Sequence, residues 1–169
     1  MAIVTGVLTT LEVLNQFQQV YNSTDPLLVR FNNTLPEKKF VVEYVGRLNC
    51  MQLKNISSNY IPPNSVTDFV LAASSWSAAS VSIEIRGQKQ DGQQYRIQLD
   101  YNWITELEAD IAIKVHNEGI TPAAEHITNG EKRGNDTKAI RHTKWDEFDI
   151  ILFTTGKLVE MTVLEKGIM

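Results

Sequence analysis

A chain of 169 residues is long enough for one sizeable core and too short for two ordinary ones. With 43% hydrophobic and 21% charged residues it has the make-up of a globular domain rather than a disordered segment. A net charge of -4 argues against nucleic acid as the main partner and gives no help in binding anionic lipid, while zwitterionic lipid and neutral sugar stay open.

The first segment reads as an amphipathic helix. Leu8, Leu11, Leu14, Phe17 and Tyr21 recur at spacings of three and four, with Val20 beside them, and Glu12, Asn15, Gln16 and Gln19 fill the other face. Asn22-Ser23-Thr24-Asp25-Pro26 stops it. Two readings stand: a helix packed on the domain, or a detachable one that lies in a membrane interface. The period then changes to 2. Residues 26–34 and 40–45 read as strands, and 48–56 as another, with Leu48, Cys50 and Leu53 competing for its inner face. Pro62-Pro63-Asn64 is a turn, 67–72 a strand, and 74–80 a small-residue loop holding Trp76. The clearest signal is a hairpin: Val81, Ile83 and Ile85 alternate with polar residues, as do Tyr95, Ile97, Leu99 and Tyr101, around an Asp91-Gly92 turn. Ile111, Ile113 and Val115 continue the pattern. Residues 118–144 are polar with no sustained period, though Thr121-Pro122 can open a second short helix. Strands at 148–154 and 158–164 close the chain. The expected fold is mainly β: an antiparallel β-sandwich of about eight or more strands, with the N-terminal helix (1–24) and a second short helix, in a single domain whose sandwich runs over 27–169.

Little here points to catalysis. There is no phosphate-binding glycine loop, and Ser80 and Ser82 lack the sequence of a nucleophile elbow. His116, His126 and His142 have no metal-ligand spacing, and no acid–base pair stands out among the carboxylates. We therefore expect no enzyme, no metal and no cofactor. The lone Cys50 reads as a small buried hydrophobe. A basic run through Lys132, Arg133, Lys138, Arg141, His142 and Lys144 is a solvated loop or a contact for phosphate headgroups or an acidic partner. Tyr95, Tyr101, Trp76, Trp103 and Trp145 are the aromatic candidates for a binding surface; Tyr95 and Tyr101 alternate with core residues, and Trp103, just past the strand, is the better placed. No stretch reaches the roughly 20 apolar residues of a membrane-spanning helix. Met1 to Val7 lacks the features of a secretory signal, so the expectation is either a cytoplasmic protein or one that leaves the cell by another route or after processing, with cytoplasmic storage before any action at a target membrane.

The run Gln98-Leu99-Asp100-Tyr101-Asn102-Trp103 resembles the Tyr-Asp-Tyr-Asn-Trp segment of sea-anemone actinoporins. The likeness extends along the chain through the N-terminal helix, Lys38 to Val42, Pro63, the strand at Val81, the Asp-Gly turn and the closing strand. Aegerolysins and fungal fruit-body lectins resemble it next. The resemblance implies a sandwich flanked by two helices, whose N-terminal helix enters lipid and self-associates into a pore. It also implies that Asp100, Tyr101, Asn102 and Trp103 lie in a membrane- or ligand-binding site. Where the family continues with tyrosine and tryptophan, this chain has Ile104 to Asp110, and its Glu106, Glu108 and Asp110 resist burial at headgroup level. Only those four residues carry over, and sphingomyelin as the lipid is in doubt. The first expectation is thus a pore-forming cytolysin with membrane lipid as partner. The alternatives are a lectin-like module for a cell-surface glycan, and a protein-interaction domain that ignores lipid.

Overall fold

The computed structural model describes residues 13–15, 17–19, 25–74, 79–105, 108–117, 125–129, 137–155 and 157–167. Among the described residues, alternating β-branched and aromatic residues pair into twelve strands. They are β1 (Asp25–Asn33), β2 (Phe40–Asn49), β3 (Met51–Ile56), β4 (Tyr60–Ile61), β5 (Ser65–Ala73) and β6 (Ser80–Gln88). The second half supplies β7 (Gln94–Thr105), β8 (Glu108–Asn117), β9 (Glu125–Asn129), β10 (Thr137–His142), β11 (Asp149–Thr155) and β12 (Leu158–Leu164). Sheet A has the order β10-β11-β12-β1-β5-β3 and sheet B the order β4-β2-β6-β7-β8-β9. Every pairing is antiparallel except that of β1 with β12, where the first and last strands run side by side from Leu28↔Leu158 to Asn33↔Val163. The sheets face each other as a sandwich, and one core runs from Leu27 to Val163 between them.

The β6–β7 hairpin forms as its alternation predicts, in register from Ser80↔Asn102 to Gln88↔Gln94. Its turn needs Gly92, which sits at φ 92, a conformation that strains any residue with a Cβ.

Three expectations change. The strand expected over 48–56 is broken at Cys50, whose φ of 54 turns the chain from sheet B into sheet A. Arg47, at φ 49, accompanies a bulge between Gly46 and Asn49, so the inward–outward phase resets. Leu48 is consequently exposed and Cys50 half-buried, while Met51 takes the inner place. The second helix is not where it was expected: Glu125 and His126 belong to β9, and 121–124 lie outside the described residues. β9 and β10 escape the periodic reading because each is an edge strand, which need not alternate as a central strand does.

Residues 13–15 and 17–19 are helical and cover the outer face of sheet A. Val13 is fully buried against Leu28 and Val70, and Phe17 and Leu158 pack beside them. The docked face is thus rotated from the expected one. Leu14 is 44% exposed, because Val13 and Phe17, four apart, make the contact and Leu14 lies about 100° further round. Leu8, Leu11 and Tyr21 lie outside the described residues.

Candidate functional site

Strand directions gather the residues singled out in the sequence at one end of the sandwich. β2 ends and β3 begins there at the Cys50 corner, β5 ends and β6 begins around 74–79, and β7 ends and β8 begins at Thr105↔Glu108. The register ties these together: Asn49 pairs with Ser80, and Ser80 with Asn102. Ser74 N–H donates to the Cys50 carbonyl at 2.8 Å, joining the corner to the end of β5. β1 starts at the same end, with Asp25 opposite Ala73, so the chain leaves the helical segment here. Trp76 lies outside the described residues.

Within the Asp100–Trp103 run the strand separates the members by face. Tyr101 is 2% exposed and belongs to the core with Ile97 and Leu99, so its ring supports the site from inside rather than meeting a ligand. Asp100 is half-buried and Asn102 exposed on the outer face. Trp103 pairs through its backbone with Ala109, immediately before a bulge that ends at Thr105, and its side chain is outside the described set. Arg47, Leu48, Asn49 and Ser74 are the exposed neighbours at this end. Beside them opens a cleft of about 240 Å³, lined by Cys50, Met51, Gln52, Lys54, Ala72 and Ser74. The Lys54 ammonium donates to Gln52 Oε1 at 2.8 Å on its rim. The cleft is smaller than a drug-sized pocket and suits a headgroup-sized fragment.

Sequence reasoning missed Gln98, which holds Asp100, and His116, which holds Gln98. Gln98 Nε2 donates to both Asp100 oxygens, at 3.0 and 2.8 Å, and Gln98 Oε1 lies 2.6 Å from His116 Nε2. Burial, and then the nearby Arg96 cation, lower the His116 pKa below its ordinary value. The available signal was the Asp91-Gly92 turn, whose length sets Ser82 opposite Asp100 and Glu84 opposite Gln98.

The opposite end is differently made. Trp145, another aromatic of the sequence, is 8% exposed there, 4.8 Å from the Tyr95 ring and with the Lys89 ammonium 4.7 Å from its own centre. Lys38 pairs with Glu147, and Lys89 with Asp146. Burial alone would raise the Asp149 pKa, but donors from Arg141, the Gly167 N–H and Lys166 outweigh it and hold the carboxyl at about 2. The basic run is therefore split. Arg141 is spent on Asp149, and Lys132 and Arg133 lie outside the described residues.

The chain matches no family model and no curated protein. In fold it is similar to the lipid-binding protein Nakanori, with a TM-score of 0.53 over 90% of this chain and 77% of that one, at 8% identity. At that identity the likeness establishes the fold alone: a β-sandwich shared by two very different sequences.

Proposed function

We propose that this chain binds the surface of a lipid membrane, by contact rather than catalysis, and meets it with the end of the sandwich that carries the Cys50 corner. The observation that carries the reading is the convergence there of Leu48, 40% exposed, with the strand ends that flank Trp76 and that bear Trp103. Apolar and aromatic side chains at such a tip suit the headgroup region, where one part of each is dry and the other wet. Similarity in fold to a lipid-binding protein supports the same reading. Co-sedimentation with neutral phosphatidylcholine vesicles tests it. Wild type sediments, and Leu48→Asp binds about ten-fold more weakly, the cost of placing a charge where an apolar group enters the interface. Equal sedimentation of the two, or none on any vesicle, overturns the reading.

The finer form of the proposal is membrane damage. The N-terminal helix leaves its seat on sheet A, enters the bilayer and self-associates there. Among the described residues the seat is Leu28, Val70 and Leu158 around Val13 and Phe17, an apolar contact that the interior of a bilayer can replace in kind, which supports release. Dye release from the same vesicles tests this step separately. Removal of residues 1–24 leaves vesicle binding intact and abolishes leakage; full leakage from the shortened chain rules the helix out.

A further inference from the structure

The outer face of sheet B holds one carboxylate more firmly than a solvated face requires. Gln98, although on the outward side of β7, is only 4% exposed, and its amide gives both oxygens of Asp100 a donor. Its Oε1 is then the acceptor, so His116 donates to it through Nε2. An ordinary surface carboxylate is left to water; this one is oriented by a buried amide that an imidazole orients in turn.

Around Asp100 stand several groups with hydrogen-bonding capacity that the described residues do not saturate. A carboxylate offers about four lone-pair sites, and the Gln98 amide is the one donor group against Asp100 among the described residues. Ser82, its partner across the β6–β7 pair, is 3% exposed, and its Oγ has no hydrogen-bond partner among the described residues. Such an orphaned hydroxyl is costly unless something satisfies it. Asn102, two residues along the same face, is exposed and brings both a donor and an acceptor. On the far side of Ser82 stands Gly46, and the Tyr44 ring lies over it, its Cζ 2.2 Å from where a Cβ would be. Glycine is therefore required there, and the ring forms a half-buried aromatic wall beside Ser82.

Acceptor-only carboxylate, two-way carboxamide and two-way hydroxyl beside a ring match a ligand whose own groups both donate and accept. Adjacent hydroxyls do so, and the apolar face of a sugar ring fits an aromatic wall. A phosphate would be repelled by Asp100, and a bare ammonium would leave Asn102 and Ser82 unmatched.

We propose that Asp100, Asn102 and Ser82 form the floor of a site for the adjacent hydroxyls of a neutral sugar, with Tyr44 as its wall and Gln98 and His116 as positioning residues. The site deepens the membrane reading and rests on it only for the source of the sugar, which is either a glycolipid headgroup or a glycan free of lipid.

The experiment uses the full chain, Asp100→Asn and Asn102→Ala. Each is titrated with phosphatidylcholine vesicles, with the same vesicles carrying a neutral glycosylceramide, and with an array of neutral oligosaccharides. Wild type binds the glycolipid vesicles about ten-fold or more tightly than plain ones, as one charge-assisted hydrogen bond allows. Both variants lose that difference between the two vesicles and keep the thermal midpoint. His116→Ala weakens sugar binding, and His116→Gln, which can still donate to Gln98, restores it. Capture of oligosaccharides without binding to any vesicle, lost in both variants, upholds the sugar site and overturns the membrane reading. Equal affinity for both vesicles with no oligosaccharide captured overturns the sugar site and leaves the membrane reading standing.

Discussion

The two ends of this sandwich are built on opposite principles. At the end holding Trp145, charged and amide groups are tied to one another, while Tyr95 Oη and Trp145 Nε1 are buried without a hydrogen-bond partner among the described residues. Asn33, 1% exposed, donates to the carbonyls of Lys38 and Pro62 and accepts from the Leu35 N–H, stapling two connections together. Asp149 gathers Arg141, Lys166 and the Gly167 N–H, and Phe148 packs between Phe40 and Tyr95. At the Cys50 end Arg47, Leu48, Asn49 and Ser74 are exposed, and the connections are held by the Ser74 N–H and Oγ donating to the Cys50 carbonyl, at 2.8 and 3.2 Å, and by the Ser80 Oγ donating to that of Arg47. The buried ion pair and packed rings named here gather at the Trp145 end, so substitutions of the exposed residues at the Cys50 end are expected to cost the fold less.

Substitutions at each end can break that division. The largest effect is expected for Phe148→Ala, which empties a fully buried site and costs about 3–5 kcal/mol in urea unfolding. Asn33→Ala follows, at about 3 kcal/mol, because it strands two carbonyls and one N–H in the interior. Asp149→Asn costs roughly 1.5–3 kcal/mol near neutrality, the range for a hydrogen bond to a charged group. Its pH dependence has a definite sign. The folded-state pKa of about 2 lies below the ordinary carboxylate value, so the stabilisation is complete above about pH 4 and is lost as pH falls through 2. Wild type and variant therefore converge in acid, and urea titrations at neutral pH and near pH 2 check it. A gap that stays constant would remove Asp149 from the account. The smallest effect belongs to the open end: Leu48→Asp changes stability by no more than about 0.5 kcal/mol while reducing vesicle binding. A large loss of stability there would erase the contrast between the ends.

Much of this architecture can be read from the residues. The hairpin over 81–101 declares itself because one face is wet and the other dry, and period 2 is then unambiguous. Its alternation also places Tyr101 inside, as the core shows. The corner at Cys50 is hidden, since a positive φ at a residue other than glycine leaves no compositional trace. β9 and β10 are hidden for the reason that they are edges. The site is partly visible: Asp100 and Asn102 stand on the outer face that alternation gives them. Gln98 and His116 come from different strands and are joined only by the β7–β8 register, in which Arg96 faces His116. That register depends on a connection with no turn signature. Val13 was passed over because Leu14 fits the same helical stripe, and only the shape of the seat on sheet A decides between them.

The parallel seam between β1 and β12 governs the order in which the molecule can be assembled. Leu28 and Leu158 come together across most of the chain, so sheet A cannot close until the last strand has been made. Sheet B, whose strands all lie between Phe40 and Asn129, has no such wait. Pulse-labelled hydrogen exchange during refolding should find the β1–β12 amides protected after those of β6 and β7. Leu158 is also part of the seat against which Val13 and Phe17 rest. The helical segment is the first of these parts to leave the ribosome, and its seat stays incomplete until β12 has been made.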